Sequence, residues 1–191
     1  LLAAFVRNPR FTLHQGDALR FDFSALGDAH TPLRVVGNLP YNISTPLIFK
    51  LLAHSVRIQD MHFMLQREVV DRLAAGPGSK LWGRLGIMAQ YRCRVEHLFD
   101  VPPEAFRPAP KVWSAVVRLT PHQQSPWPDC NESTLREVVR SAFAQRRKTL
   151  RNNLKAIIDS EQLEALGIDP GARAETLQLT QFIEIANATH E

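Results

Sequence analysis

Apolar and polar positions alternate between two periods in the first half of the chain and settle into one in the second. Phe11-Thr-Leu-His14 is a short strand pattern closed by Gly16, and Arg34-Val-Val36 is another closed by Gly37. After Tyr41-Asn-Ile, Thr45 stands as a helix cap with Pro46 at the first helical position. Leu47, Ile48, Leu51 and Leu52 then share one helical face. Asp60-Met-His-Phe-Met-Leu65 is nearly all apolar, as for a strand buried on both sides. Residues 66–75 predict a helix with Val69, Val70, Leu73 and Ala74 on one side, stopped by Gly76-Pro77-Gly78. Residues 86–95 and 112–119 read as two further strands.

Strand–helix–strand order predicts an α/β fold with a parallel sheet and helices on its faces. Between the last two strands lies Val101-Pro-Pro-Glu-Ala-Phe-Arg-Pro-Ala-Pro110, whose four prolines forbid regular structure and stiffen a loop. So short a connection predicts antiparallel pairing of those strands at one edge. Pro121, Pro126 and Pro128 then mark a linker, residues 121–131. Beyond it the periodicity is helical throughout. Leu135, Val138, Val139, Ala142 and Phe143 form a stripe that Leu150, Leu154, Ile157 and Ile158 resume, with a break at Arg146-Arg147. The expected division is residues 1–120 for the α/β part and 132–191 for a small all-α domain.

Composition narrows the classes. With 191 residues, 45% apolar and 22% charged, the chain is of ordinary globular make-up. No apolar run approaches the ~18 residues that cross a bilayer. Two cysteines, Cys93 and Cys130, are too few for a disulfide framework or a four-cysteine zinc site, and a cytoplasmic, reducing compartment is the default. The seven histidines show no metal-ligand spacing, so no metal is expected. Net charge is only +4, but its distribution is uneven. From Arg136 to Lys155 there are seven Lys/Arg and a single acid, Glu137, whereas from Glu161 onward Arg173 is the only base among six acids. A basic face is most often simply solvated. One that follows a linker and joins an otherwise acidic domain points to phosphate contacts. Residue 1 is Leu rather than Met, and Leu1 to Phe5 read like the tail of a helix already under way, so a fragment is expected.

The most specific local signal is Gly37-Asn-Leu-Pro-Tyr-Asn-Ile-Ser44, directly after an apolar strand. In open parallel sheets ligands sit beyond the carboxyl ends of strands. There an amide, a rigid backbone carbonyl and an aromatic ring side by side suit an exocyclic base amine and its flat ring. An isolated Asn-x-Pro turn is usually a plain cap; the flanking residues give this one its weight. In order along the chain come Gln15-Gly-Asp-Ala-Leu19, Val35-Val-Gly-Asn-Leu-Pro-Tyr-Asn-Ile-Ser44, Met64-Leu-Gln-Arg-Glu68, Gly83-Arg-Leu85, Val101-Pro-Pro-Glu-Ala-Phe106, Pro110-Lys-Val112 and Ala144-Gln-Arg-Arg-Lys-Thr-Leu-Arg-Asn152. Together they closely resemble the S-adenosylmethionine-dependent ribosomal RNA adenine N6,N6-dimethyltransferases, in particular the bacterial small-subunit (16S) enzymes.

That resemblance implies a Rossmann-like methyltransferase domain followed by a helical RNA-binding domain. It also implies a preceding segment, with a glycine-rich cofactor turn, that is not in these 191 residues. Its implied reaction is methyl transfer from S-adenosyl-L-methionine to two adjacent adenosines near the 3′ end of small-subunit rRNA, on a ribosomal small-subunit assembly intermediate, by a monomer. Asp17 and Ala18 are implied at the cofactor's adenine; Asn38 is implied at both cofactor and target. The Asn38 side-chain oxygen and the Pro40 carbonyl would accept the amine hydrogens. Leu39 would shape the pocket, and Tyr41 and Phe106 would stack on the base. Arg146, Arg147, Lys148 and Arg151 would face RNA, with Arg72, Lys80, Arg84, Arg107 and Lys111 extending that surface. Two other readings stay open: a large-subunit rRNA methyltransferase of the antibiotic-resistance type, whose turn tends to be Asn-Ile-Pro-Tyr, and a non-catalytic rRNA-binding fragment.

Overall fold

A computed structural model describes residues 5, 7–23, 26, 32–40 and 42–189, with residue 56 described by its backbone alone. Four strands form one sheet, β1 (Leu33–Asn38), β2 (Ile58–Gln66), β3 (Cys93–Val101) and β4 (Ser114–Pro121), in the order β1-β2-β4-β3. β1 and β2 run parallel; β4 is antiparallel to both β2 and β3. The expected α/β organisation therefore holds, and β3 is an edge strand paired antiparallel to β4 as the short proline loop requires. Helix α1 (Ser44–Ala53) links β1 to β2, and α2 (Arg67–Ala74) and α3 (Arg84–Arg92) lie between β2 and β3. The C-terminal region is helical: α4 (Glu132–Ala142), α5 (Leu150–Asn153), α6 (Ser160–Ala165) and α7 (Leu179–Ala188).

Two apolar cores organise these elements. One joins the inner positions of the sheet, such as Met61, Phe63, Val117 and Leu119, to Leu47, Ile48, Leu51 and Leu52 of α1 and to Val70 and Leu73 of α2. The other gathers α4 to α7 around Leu135, Leu150 and Phe182. Helix α3 belongs to both: Leu85 and Ala89 enter the sheet core, while Ile87 and Met88 enter the helical one. Burial on two sides explains the misreading of residues 86–95. Five consecutive residues, Leu85 to Ala89, are buried, so this stretch lacks the 3.6-residue signature of a half-buried helix, and periodicity alone cannot separate it from a strand. The strand begins only at Cys93.

Three smaller corrections follow. Phe11–His14 is not a strand; its rings pack locally, Phe11 on Phe5 and His14 on Phe21 with centroids 5.3 and 5.2 Å apart. Helix α1 starts one residue before the expected cap, with Ile43 as N-cap, so Thr45 and Pro46 sit inside its first turn. Pro46 is tolerated there because the first N–H groups of a helix have no internal acceptor. The Arg146 cluster does not extend a helix; it lies in the turn between α4 and α5, the expected break in the stripe.

Candidate functional site

Strand register brings Asn38 and the loop that holds Phe106 to one rim of the sheet. Asn38 pairs with Met64, while Gln66 and Val101 both pair with Ser114. The carboxyl ends of β1, β2 and β3 and the start of β4 therefore share an edge, and two loops leave from it. One is the turn after Asn38. The other is residues 102–113, which holds Phe106 and begins with a 3-10 turn over Pro103–Ala105. With β2 between them, β1 and β4 are roughly 10 Å apart, two strand spacings. The second loop is tied down at its end, where Arg67 N–H donates to the Trp113 carbonyl at 2.9 Å. Arg67 also reaches Asp100 of β3 at 3.3 Å.

The Asn38 turn is rigid for reasons legible atom by atom. Leu39 N–H donates to the Met64 carbonyl at 3.2 Å, extending the β1–β2 ladder one residue beyond the strand. Leu39 is buried at 8% exposure, and a Cβ on Gly37 would stand 3.0 Å from its Cδ2. The Pro40 carbonyl accepts from the N–H groups of Ile43 and Ser44 at 3.2 and 3.1 Å, which starts α1. Both of its lone pairs are thus engaged, so the expected role of Pro40 as second acceptor for a base amine does not fit this conformation. The Leu39 carbonyl accepts no hydrogen bond among the described residues. The Asn38 side chain, on an exposed residue, has no hydrogen-bond partner among them either. Tyr41 lies outside the described residues. Phe106 is half-buried and belongs to neither core.

Asp17 makes a tight turn. Its Oδ1 accepts from Leu19 N–H at 2.9 Å, and its carbonyl accepts from Arg20 and Phe21 N–H, each at 2.9 Å. Oδ2 is 3.7 Å from Arg20 Nε, with both side chains well exposed. Sequence reasoning missed what holds this turn in place. Lys50, in the last turn of α1, donates to the Leu19 and Phe21 carbonyls at 2.8 and 2.5 Å and lies 5.5 Å from the centre of the Phe23 ring. The Asp17 turn and the Asn38 turn are therefore fastened to the two ends of one helix. A lone Lys at the end of an amphipathic helix carries no signal for such a role, since helix ends favour cations in any case.

The basic cluster divides. Arg146 donates to Glu175 Oε2 at 3.2 Å and to the Lys80 carbonyl, which staples residues 76–83 to the helical region. Gly78 N–H to the Glu175 carbonyl (2.7 Å) and Trp82 Nε1 to the Leu177 carbonyl (2.9 Å) complete that seam. Arg147, Lys148 and Arg151 are exposed and form no ion pair among the described residues. Among those residues no cluster of three His, Cys, Asp or Glu is placed to hold a metal. No helix among them is long and apolar enough to cross a membrane.

Comparison with known proteins bears on the family and the fold. The profile of the ribosomal RNA adenine dimethylase family matches residues 1–191. A ribosomal RNA small subunit methyltransferase A of Pseudomonas aeruginosa is 61% identical over 182 residues, covering 95% of this chain and 68% of that protein. One of the same name from Chromohalobacter salexigens is 57% identical over 195 residues, covering 100% and 69%. Among solved structures, a dimethyladenosine transferase from Plasmodium falciparum superposes with a TM-score of 0.75 at 26% identity, over 90% of this chain and 70% of that one. The 23S rRNA methyltransferase ErmE superposes with a TM-score of 0.72 over 100% and 76%, but its 19% identity speaks to the fold alone. The Rossmann-like α/β architecture is shared with both. A family profile matched over residues 1–191, with relatives about 60% identical over nearly the whole of this chain, places the protein in the ribosomal RNA adenine dimethylase family.

Proposed function

We propose that this chain transfers methyl groups from S-adenosyl-L-methionine to N6 of two adjacent adenosines near the 3′ end of small-subunit rRNA, giving N6,N6-dimethyladenosine. Its substrate is a small-subunit assembly intermediate, and its compartment is the cytoplasm. The observation that carries this reading is the Asn38 amide at the carboxyl end of β1, which has no hydrogen-bond partner among the described residues and stands on a backbone fixed by Leu39 and by the start of α1.

The residues present fit the adenosine end of the cofactor. At Asp17 the second carboxylate oxygen is left to accept from an adenine amine, and Ala18 beside it is half-buried. When bound, S-adenosylmethionine supplies a methyl group on a positively charged sulfur, which leaves with the electron pair of the broken C–S bond. The chain's own part is positioning. The lone pair of N6 is delocalised into the purine ring, so the amine is a poor nucleophile. Asn38 Oδ1 accepts one N–H, and the Leu39 carbonyl, rather than that of Pro40, accepts the other. Two acceptors on those hydrogens favour a pyramidal nitrogen with its lone pair aimed at the methyl carbon. Tyr41 on one face and Phe106 on the other hold the base, at about 1–3 kcal/mol per stacked base. Orientation of this kind supplies up to ~7–11 kcal/mol in well-aligned systems. After transfer the cationic nitrogen is acidic and gives its proton to water, so no strong base is required.

The test is methyl transfer from radiolabelled cofactor to purified small and large ribosomal subunits lacking the modification. Label confined to two adjacent adenosines of the small-subunit RNA is expected; label appearing only in the large subunit contradicts the proposal.

A further inference from the structure

Four ionisable side chains from α2 and β3 converge at the root of the loop that carries Phe106. Arg67, the first residue of α2, places Nη1 3.3 Å from Asp100 Oδ2 and Nε 3.7 Å from Asp71 Oδ2. His97 stands on the far side of the same two acids, with Nε2 2.9 Å from Asp100 Oδ1 and Nδ1 3.8 Å from Asp71 Oδ1. A carboxylate only accepts, so the His97 ring donates to Asp100. The four groups close a ring that clasps the end of β3 to the first turns of α2. A third element joins through the backbone, since Arg67 N–H donates to the Trp113 carbonyl just before β4. Asp100, two residues before the loop, and Trp113, its last residue, are thus both held by Arg67.

An irregularity in β3 makes the clasp possible. In a regular strand successive side chains alternate faces, so residues three apart point opposite ways. The register of β3 slips between His97 and Phe99: His97 pairs with Val117 and Phe99 with Val116, which leaves Leu98 as an extra residue. One inserted residue returns His97 and Asp100 to the same face. Their partners on β4, Val117 and Ala115, are fully buried in the core that includes Val70 and Leu73 of α2, so that face is the one turned to α2.

Stability does not account for the arrangement. The four side chains are between 31% and 48% exposed, and ion pairs so exposed contribute little to folding. What the clasp fixes is direction. From Asp100 the chain has no free hinge before Phe106. Val101 is still paired with Ser114, and the rings of Pro102 and Pro103 set their own φ angles. Ala105 and Phe106 N–H then donate to the Pro102 and Pro103 carbonyls, each at 3.1 Å. Phe106 is anchored in neither core, so its place is inherited from the end of β3.

We infer that Arg67, Asp71, His97 and Asp100 are positioning residues: they hold the end of β3 against α2 and through it hold the Phe106 ring at the face of the target base. The inference rests on the stacking role proposed for Phe106 and adds the residues that set it. None of the four touches the reacting atoms.

The test, on the full chain, joins kinetics to a signal from the ring itself. In steady-state methyl transfer to small ribosomal subunits, Asp100→Ala is expected to lower kcat by about 10- to 100-fold, the scale of a misplacement of about 1 Å, with both KM values within about twofold. In a Phe106→Ala background the same substitution is expected to cost almost nothing more, because residues that act through one another are not additive. Full additivity overturns the proposal. Arg67→Met opens the ring from the α2 side and serves where Asp100→Ala does not fold. Its kcat is expected to fall alike, and Arg67→Lys, which keeps a cation beside both acids, to restore most of it. Equal losses in the Met and Lys variants overturn the clasp. The second readout needs no activity. With 4-fluorophenylalanine in place of Phe106, the otherwise unaltered chain should give one narrow fluorine NMR line, broadened or divided by Asp100→Ala or Arg67→Met. An unchanged line in those variants overturns the proposal. Failure of the proposed function reads out differently: the wild type would transfer no methyl group to the small subunit, while the fluorine line would still decide whether the clasp holds Phe106.

Discussion

The Asn38 side chain makes no hydrogen bond among the described residues, although its backbone pairs with Met64. Asp60 is the contrast. It is 1% exposed in the middle of β2 and is held by Arg34 at 2.8 and 3.0 Å and by Arg118 at 3.2 Å. Burial pushes its carboxyl up, but the Arg34 hydrogen bonds and the charges of Arg34, His62 and Arg118 outweigh that and hold it below the ordinary carboxylate range. A carboxyl whose folded pKa is depressed contributes stability above its unfolded pKa of about 3.9, and loses it as the pH falls through the folded value. Asp60→Asn should therefore cost about 1.5–3 kcal/mol at neutral pH, the worth of hydrogen bonds to a charged group. Urea unfolding at neutral and at acid pH checks this: the gap between wild type and variant should narrow in acid, and a constant gap would remove the ion pairs as its cause. Cys93 is another structural group. Burial pushes its thiol up to about 12, and its Sγ donates to the Ala89 carbonyl at 3.0 Å. It should stay unlabelled by a thiol reagent in the folded protein at neutral pH and react only on unfolding, with half-buried Cys130 reacting first.

Between elements, the junction of α2 and α3 rests on a close backbone approach. A Cβ on Gly86 would stand 2.6 Å from the Arg72 carbonyl and 3.4 Å from the Trp82 ring, so only glycine allows α3 to approach α2 this closely. Alanine is the better helix former by about 1 kcal/mol, but overpacking here should outweigh it and destabilise by about 1–3 kcal/mol net. At Gly76, where a Cβ meets nothing within 4 Å, the same substitution should be close to neutral. Thermal melts of the two variants decide it; equal melting temperatures would mean that α3 shifts without cost. The same junction marks the limit of what was legible in the sequence. β1, β2, α2 and α4 came from clear periodicity and firm stops. α3 did not, because burial of the consecutive residues Leu85 to Ala89 against two cores hides the 3.6-residue period. The place of β4 between β2 and β3 is likewise a tertiary matter, set by register and not by local pattern. At the site, the Asn38 turn was legible because adjacent residues build it. The engagement of the Pro40 carbonyl depends on contacts three and four residues away, and the staple that Arg146 makes to Glu175 on one 29 residues away.

At the scale of the whole molecule, the chain carries the Asn38 turn and the Phe106 loop at the rim of the sheet, and a helical half beside it with exposed bases at Arg147, Lys148 and Arg151. The two halves are joined through α3 and through the seam of Trp82, Arg146 and Glu175. The proposed division of labour separates affinity, which belongs to the basic residues, from chemistry, which belongs to the turn. Asn38→Ala tests that separation most directly. Methyl transfer to the small subunit and affinity for its RNA are measured on the same preparation. Transfer is expected to fall by roughly two orders of magnitude or more, the scale for losing a preorganised polar group in an active site, while RNA affinity stays within about twofold. Parallel losses in both, or transfer that survives, would contradict the role of Asn38 at the reacting nitrogen.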